Sequence, residues 1–121
     1  MGARIFYSIK TELDKPHIVL YSHWGETSWR EDLALALDFA KPRLKLGDLP
    51  YATRNIIDQL TKSGRDEQTG FGIFLADESD DLGEFTVEID MTTQMVNDTG
   101  NWHSFESFVE YQQEVSEYHD A

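Results

Sequence analysis

The 121-residue chain contains no cysteine, which excludes disulfide staples, a thiol nucleophile and a zinc site built on thiolates. No stretch approaches the roughly 20 apolar residues that a membrane-spanning helix needs. Basic residues stop early. All ten Lys and Arg stand at or before Arg65, beside eight acids, a net of +2. The remaining 56 residues carry 15 acids and no Lys or Arg, so that half alone is −15 in a chain of −13. Carboxylates without local cations must face water, the basic half or a partner. They also exclude nucleic acid as a direct partner, because phosphate binding needs a basic footprint.

Catalytic signatures are missing as well. There is no phosphate loop, no Gly-x-Ser-x-Gly elbow and no His-Glu-x-x-His helix. No lysine follows Lys62, so an acid-acid-x-Lys nuclease motif cannot be completed in the acidic half. His17, His23, His103 and His119 lack metal-ligand spacing, and residues 77–81 lack that of a calcium loop. A non-enzymatic protein without metal or cofactor is expected.

What is present is enough for one domain, residues 1–121, with 40% hydrophobic and 12% aromatic residues to fill one core. Residues 1–5 read as the start of a strand, not as a signal peptide or a myristoylated arm, so a cytoplasmic protein is expected. Residues 3–11 alternate, with Ile5, Tyr7 and Ile9 on one face and Phe6 as the exception, which predicts a half-exposed strand. Pro16 ends a turn before the run Ile18-Val19-Leu20-Tyr21, which reads as a strand buried on both faces. The two form an antiparallel hairpin, with the second strand expected to be the more central.

Ser28 and Glu31 have capping-box spacing ahead of a helix carrying Leu33, Ala36, Leu37 and Ala40, a stripe widened by Leu35 and Phe39, which Pro42 should end or kink. Lys41, Arg43 and Lys45 then suit the negative pole of a helix end; an anion site is the competing reading. Asp48 caps a second helix with Ala52, Ile56 and Leu60 inward and Gly64 as a left-handed stop. In the strand at 71–76, Gly70 and Gly72 permit a bulge or leave room for a neighbouring backbone or ligand. Residues 84–90 alternate, with Phe85, Val87 and Ile89 inward, and a short strand follows near 94–97. Ser104 caps a last helix with Phe108, Tyr111, Val115 and Tyr118 on one stripe and Glu106, Glu110, Glu114 and Glu117 on another. The order ββααβββα predicts an α+β fold, a mostly antiparallel sheet of about five strands with three helices.

The run Leu20-Tyr21-Ser22-His23-Trp24-Gly25 resembles one found in small phage-encoded proteins. Asp48-Leu49-Pro50-Tyr51-Ala52-Thr53-Arg54-Asn55-Ile56 looks like that family's Asp-x-x-Tyr-x-x-Arg-x-Ile. Thr69-Gly70-Phe71-Gly72-Ile73 looks like its Thr-Gly-aromatic-Gly-Ile. The resemblance spans residues 18–90 and implies an accessory protein acting in the cytoplasm of a bacterial host. It implies no particular activity.

Two function classes follow. In the first, an acidic decoy binds and inhibits a basic host protein, one that handles nucleic acid or serves defence. Its carboxylates Asp77, Glu78, Asp80, Asp81, Glu84, Glu106, Glu110, Glu114 and Glu117 stand where that partner expects phosphates. In the second, a nucleotide-like signal is sequestered in a pocket of Tyr21, His23, Trp24, Asp48, Tyr51 and Arg54, with an aromatic ring stacked on the base. The inhibitor reading is preferred, because it uses half the chain. The competing account of the pocket is a packed Trp24 and a satisfied His23. A homodimer is compatible with either reading.

Overall fold

A computed structural model describes residues 4–23, 28–64, 66–77, 80–82 and 85–120, the side chains of 116–120 excepted. Ile5, Tyr7 and Ile9 alternate with Phe6, Ser8 and Lys10 along β1 (Ile5–Lys10), so two faces are set from the first strand. β2 (His17–Ser22) pairs antiparallel with β1, placing Leu20 opposite Tyr7 and Tyr21 opposite Phe6. β3 (Phe71–Ala76) pairs antiparallel with the other side of β2. β4 (Thr86–Asp90) runs parallel to β1, and β5 (Met95–Asp98) and β6 (Asn101–Ser104) follow antiparallel. The strand order is β3-β2-β1-β4-β5-β6.

The α+β class and the element order are as expected, with six strands in place of five. β1 lies nearer the centre than β2, and it is a buried strand rather than a half-exposed one. The extra strand β6 consists of four exposed residues, Asn101–Ser104, just ahead of the last helix, where no strand is expected from the sequence.

All three helices cover one face. α1 (Trp29–Lys45) packs on α2 (Leu49–Thr61) and on α3 (Phe105–Asp120). Their inward residues, Leu33, Leu37, Ile56, Phe105 and Phe108 among them, meet Ile5, Tyr7, Ile9, Leu20, Val87, Ile89 and Val96. Val19 is equally inaccessible but stands outside this cluster, because its side chain points to the other face. β2 is therefore buried from both sides at Val19 and Leu20, whereas Ile18 and Tyr21, expected to be buried with them, are half-buried.

Several local expectations are corrected. Ser28 makes no side-chain cap bond; its hydroxyl donates to Asp32 Oδ2 at 3.1 Å, so the capping box with Glu31 is not formed. Pro42 lies inside α1 and the helix continues to Lys45. The left-handed stop is Gly47 (φ 72°), where Gly47 N–H bonds Leu44 C=O and Asp48 N–H bonds Arg43 C=O. Gly64 instead closes a 3-10 turn over Lys62–Gly64. Asp48 stands at the N-cap of α2 without a side-chain cap bond. Phe85 and Tyr111 are exposed, and the stripe of α3 buries Phe105, Phe108 and Gln112. Ser104 caps α3 as expected, its Oγ accepting from Ser107 N–H at 3.1 Å.

One ion pair ties the helix layer to the sheet. Arg30 donates to both oxygens of Asp98 at 2.8 and 2.9 Å and lies 4.7 Å over the ring of Trp29, which stacks on Phe108. The hydrogen bond from Arg30 holds the Asp98 carboxyl below its usual range. An acid whose folded pKa is depressed stabilises fully above its unfolded value, near ~3.9, and loses that contribution as pH falls through the folded one. Asp98→Asn is therefore expected to lower the Tm at neutral pH by a few degrees, about 0.5–1 kcal/mol for a partly exposed pair. The gap between parent and variant should close in thermal melts as pH falls below the ordinary carboxylate range. A gap that stays constant would assign the loss to packing.

Candidate functional site

The sheet face that the helices leave uncovered is built from two unlike halves. Towards the β3 edge it is aromatic. Phe6 and Tyr21 are directly opposed across β1 and β2, with ring centroids 6.0 Å apart, and Phe74 stands at 6.4 and 6.2 Å from them. His23 meets the edge of Tyr21 at 5.8 Å, and Arg4 lies over the same ring. Gly72 is opposite Tyr21, and a Cβ there would stand 2.1 Å from Tyr21 Cε1. The missing side chain thus makes room for the Tyr21 ring, not for a backbone or a ligand.

Beyond the aromatics the face turns acidic. Strand alternation brings Ser8 and Lys10 of β1, His17 of β2, and Thr86, Glu88 and Asp90 of β4 to the same side. The chain leaving β3 turns back over them. Asp80 N–H donates to Asp77 C=O at 2.9 Å and Asp77 N–H to Asp80 Oδ2 at 2.8 Å, so the turn is closed by its own groups. Between turn and sheet lies a cavity of about 300 Å³, with Asp77, Asp80, Asp81, Glu88 and Asp90 in its lining and Trp102 beside them. Lys10 is the one Lys or Arg among the described residues that line it.

The floor is orderly. Ser8, buried in mid-strand, shares a 3.0 Å hydrogen bond with His17 Nδ1. Burial alone would raise the Asp90 carboxyl, but bonds from Thr92 and Thr93, with Lys10 nearby, hold it low. Glu88 Oε2 accepts from Asn97 Nδ2 at 3.4 Å.

This arrangement suits a cationic group and opposes an anionic one. A partner's lysine or arginine head entering the cavity would meet five carboxyl groups, with the half-exposed Trp102 ring available to its aliphatic stem. The Ser8–His17 pair resembles a nucleophile and its base, but an oxyanion forming beside five carboxylates would be destabilised. Nucleotide phosphate is disfavoured there for the same reason. Among the described residues no group of three or more His, Asp or Glu could hold a metal ion.

The residues expected from sequence to bind a partner are scattered over two surfaces. Asp77, Asp80 and Asp81 line the cavity. Glu106, Glu110 and Glu114 are exposed on α3, on the helix side of the sheet. Glu106 and Glu110 border a groove of about 250 Å³ between α1 and α3, which Lys41 and Lys45 also line. Part of the acidic half therefore faces the basic half. Arg43, the third member of that basic cluster, lies over Tyr51 instead. Glu78, Glu84, Trp24 and Gly25 lie outside the described residues, as do the side chains of Glu117 and Tyr118.

The expected ligand pocket is not assembled among its described members. Tyr21 and His23 touch on the uncovered face. Tyr51 and Arg54 are exposed on α2, whose buried side carries Ala52, Thr53, Ile56 and Leu60, and Asp48 only begins that helix. Arg54 is engaged by Asp58 at 2.5 Å and Asn55 at 3.1 Å. The helices pack on the Leu20 face of β2, so a whole layer separates the two groups.

Sequence reasoning missed Glu88, Asp90, Ser8, His17 and Lys10 as one site. The outward alternation of Ser8, Lys10, Glu88 and Asp90 is legible in the sequence, but the return of Asp77, Asp80, Asp81 and Leu82 over them is not. Among the described residues no helix is long and apolar enough to cross a membrane. No family model, curated protein or solved structure matches the chain.

Proposed function

We propose that this is a small acidic, non-enzymatic binding protein that captures a basic protein by receiving a lysine or arginine side chain in the cavity over the uncovered sheet face. The observation that carries the reading is the lining itself, five carboxylates against Lys10 around about 300 Å³. The charge layout supports it, since the acidic half as a whole would steer a basic partner and raise its on-rate. On this reading the partner is a host protein of the nucleic-acid-handling or defence kind, inhibited because carboxylates occupy the place its phosphates would take. The resemblance to small phage proteins supports a bacterial cytoplasm as the setting. The competing nucleotide pocket loses support, because its described residues lie on different layers.

The test is calorimetric titration of the chain with a short peptide of alternating arginine and glycine, at low and high salt. Saturable binding that weakens steeply with added salt is expected, as for partly exposed charge pairs. No binding at low salt, or tight binding of a nucleotide to the same protein, would contradict it.

A further inference from the structure

We propose that the hollow between α3 and the β5–β6 hairpin binds a neutral sugar, a pyranose ring held by the amide of Gln112 and laid against the ring of Tyr111. Thr99 (φ 49°) and Gly100 (φ 96°) form the two-residue turn of that hairpin, which sets Asp98 opposite Asn101 and Val96 opposite His103. Cross-strand partners share a face, so His103 stands with buried Val96 on the helix side. Asp98, two residues on from Val96, stands there too. α3 packs against both strands and brings Ser107, Phe108, Tyr111 and Gln112 to them, at i, i+1, i+4 and i+5. These six residues line a hollow of about 330 Å³. The sheet lies between it and the acidic cavity, because Trp102 of that cavity alternates with His103 along β6.

Gln112 is out of place for its type. It follows Phe105 and Phe108 on the buried stripe of α3 and is only 8% exposed. Glutamine is rarely so buried, and a buried amide ordinarily has its partners. Among the described residues this one has none. Nor is it sealed in the core: the fully buried side-chain polar atom without a partner is Thr53 Oγ1, on α2. The amide therefore keeps its access from the space it lines. A second hollow beside Gln112, towards Ala34 and Leu35, holds about 150 Å³. That falls well short of the roughly 300–1,000 Å³ of small-molecule sites, a range the hollow beneath α3 enters.

The lining selects the ligand. Asp98 is its one carboxylate, no Lys or Arg stands among the described residues that form it, and both Asp98 oxygens already accept from Arg30. An anion would meet Asp98 with no cation to hold it. A cation would have to displace Arg30. A wholly apolar molecule would leave the Gln112 amide unbonded and dry. Neutral hydroxyls suit the lining, since the Gln112 amide and the Ser107 hydroxyl each donate and accept, as a neutral imidazole at His103 would. The C–H face of a ring sugar then has the Tyr111 ring, 63% exposed, to lie on. A flat base would need a slot between two rings, but Phe108, the other ring of the lining, is buried and already stacked on Trp29. With about twelve heavy atoms, one pyranose at ordinary ligand efficiency binds in the millimolar range.

Saturation-transfer NMR of the full chain with the methyl glycosides of glucose, galactose, mannose and N-acetylglucosamine, then titration of the best, is the test. At least one should bind saturably with a millimolar Kd. The free sugars run beside them: loss of binding on methylation assigns a free sugar, and equal binding assigns the end of a glycan. Gln112→Met keeps the length and removes the amide. Its Tm should hold or rise, because no protein bond is lost, and affinity should fall about tenfold. Tyr111→Ala and Ser107→Ala change exposed side chains, so both should fold as the parent does and bind the sugar less tightly. They carry the test should Gln112→Met not fold. All three variants should bind the arginine–glycine peptide as the parent does, so this site and the acidic cavity can fail separately. No sugar bound at about 50 mM, binding that a folded Gln112→Met or Tyr111→Ala leaves unchanged, or tighter binding of adenosine than of every sugar would each overturn the proposal.

Discussion

Val19→Asp is expected to abolish the cooperative thermal transition of the domain. Val19 is completely inaccessible in β2, opposite Ser8 of β1 and Phe74 of β3. A carboxylate there loses its hydration and gains no cation: the diagonal neighbour Lys10 already acts on Asp90. An uncompensated buried charge costs about 3–5 kcal/mol, and the lost burial of the valine adds about 1.5–3. Together these rival the 5–15 kcal/mol that hold an ordinary domain. Val19→Ala, which introduces no charge, should keep a transition at lower temperature. A Val19→Asp protein that melts within a few degrees of the parent would mean that this layer is open to water, and the sheet order would have to be redrawn.

The second large effect is on binding. The combined variant Asp80→Asn, Asp81→Asn, Glu88→Gln removes three charges from the cavity lining while keeping size and hydrogen-bonding oxygens. Asp90 is left intact because its bonds to Thr92 and Thr93 shape the β4–β5 turn. At about 1 kcal/mol per partly exposed charge pair, affinity for the arginine peptide should fall about a hundredfold. Stability should hold or rise slightly, since like charges are thinned in a chain of −13. The matching neutral variant of α3, Glu106→Gln, Glu110→Gln, Glu114→Gln, should bind nearly as the parent does. If the α3 variant loses the peptide and the cavity variant keeps it, the interface lies on the helix.

The sequence makes the apolar core legible because that signal is local. Alternation in β1 and β4, the run of β2 and the helical stripes of α1 and α2 select most of the buried residues, while Phe85, Leu35 and Phe39, read as inward, are exposed. What depends on distant pairing is not legible. β1 joins β4 in parallel only after two helices and β3 have intervened, so nothing near residues 5–10 marks that strand as central. Phe6 breaks the alternation of β1 because the uncovered face has an apolar layer of its own, with Tyr21 and Phe74. Pro42 is carried within α1, whose apolar residues Leu37, Ala40 and Leu44 remain buried on both sides of it. β6 shows no apolar period because all four of its residues are exposed. The cavity needs a loop folded over a strand, and alternation cannot foretell that.

The expected ligand pocket fails for a related reason. The spacing of Asp48, Tyr51 and Arg54 at the start of α2 suits one wall of a pocket beside the end of β2, but parity turns Tyr21 away from the helices. Leu20 and Ser22 take the covered face, so Tyr21 and His23 must take the other. The acidic half divides likewise, Asp77, Asp80 and Asp81 going to the sheet and Glu106 and Glu110 to the α1–α3 groove.

The most direct measurement is a residue-by-residue map of backbone amide shifts while the alternating arginine–glycine peptide is titrated into the isotopically labelled chain. Saturating changes should concentrate at Ser8, Lys10, His17, Thr86, Glu88 and Asp90 and in residues 77–82, with α3 little affected. Changes centred on Glu106, Glu110 and Glu114, or spread evenly over every exposed carboxylate, would contradict a cavity built to receive a basic side chain.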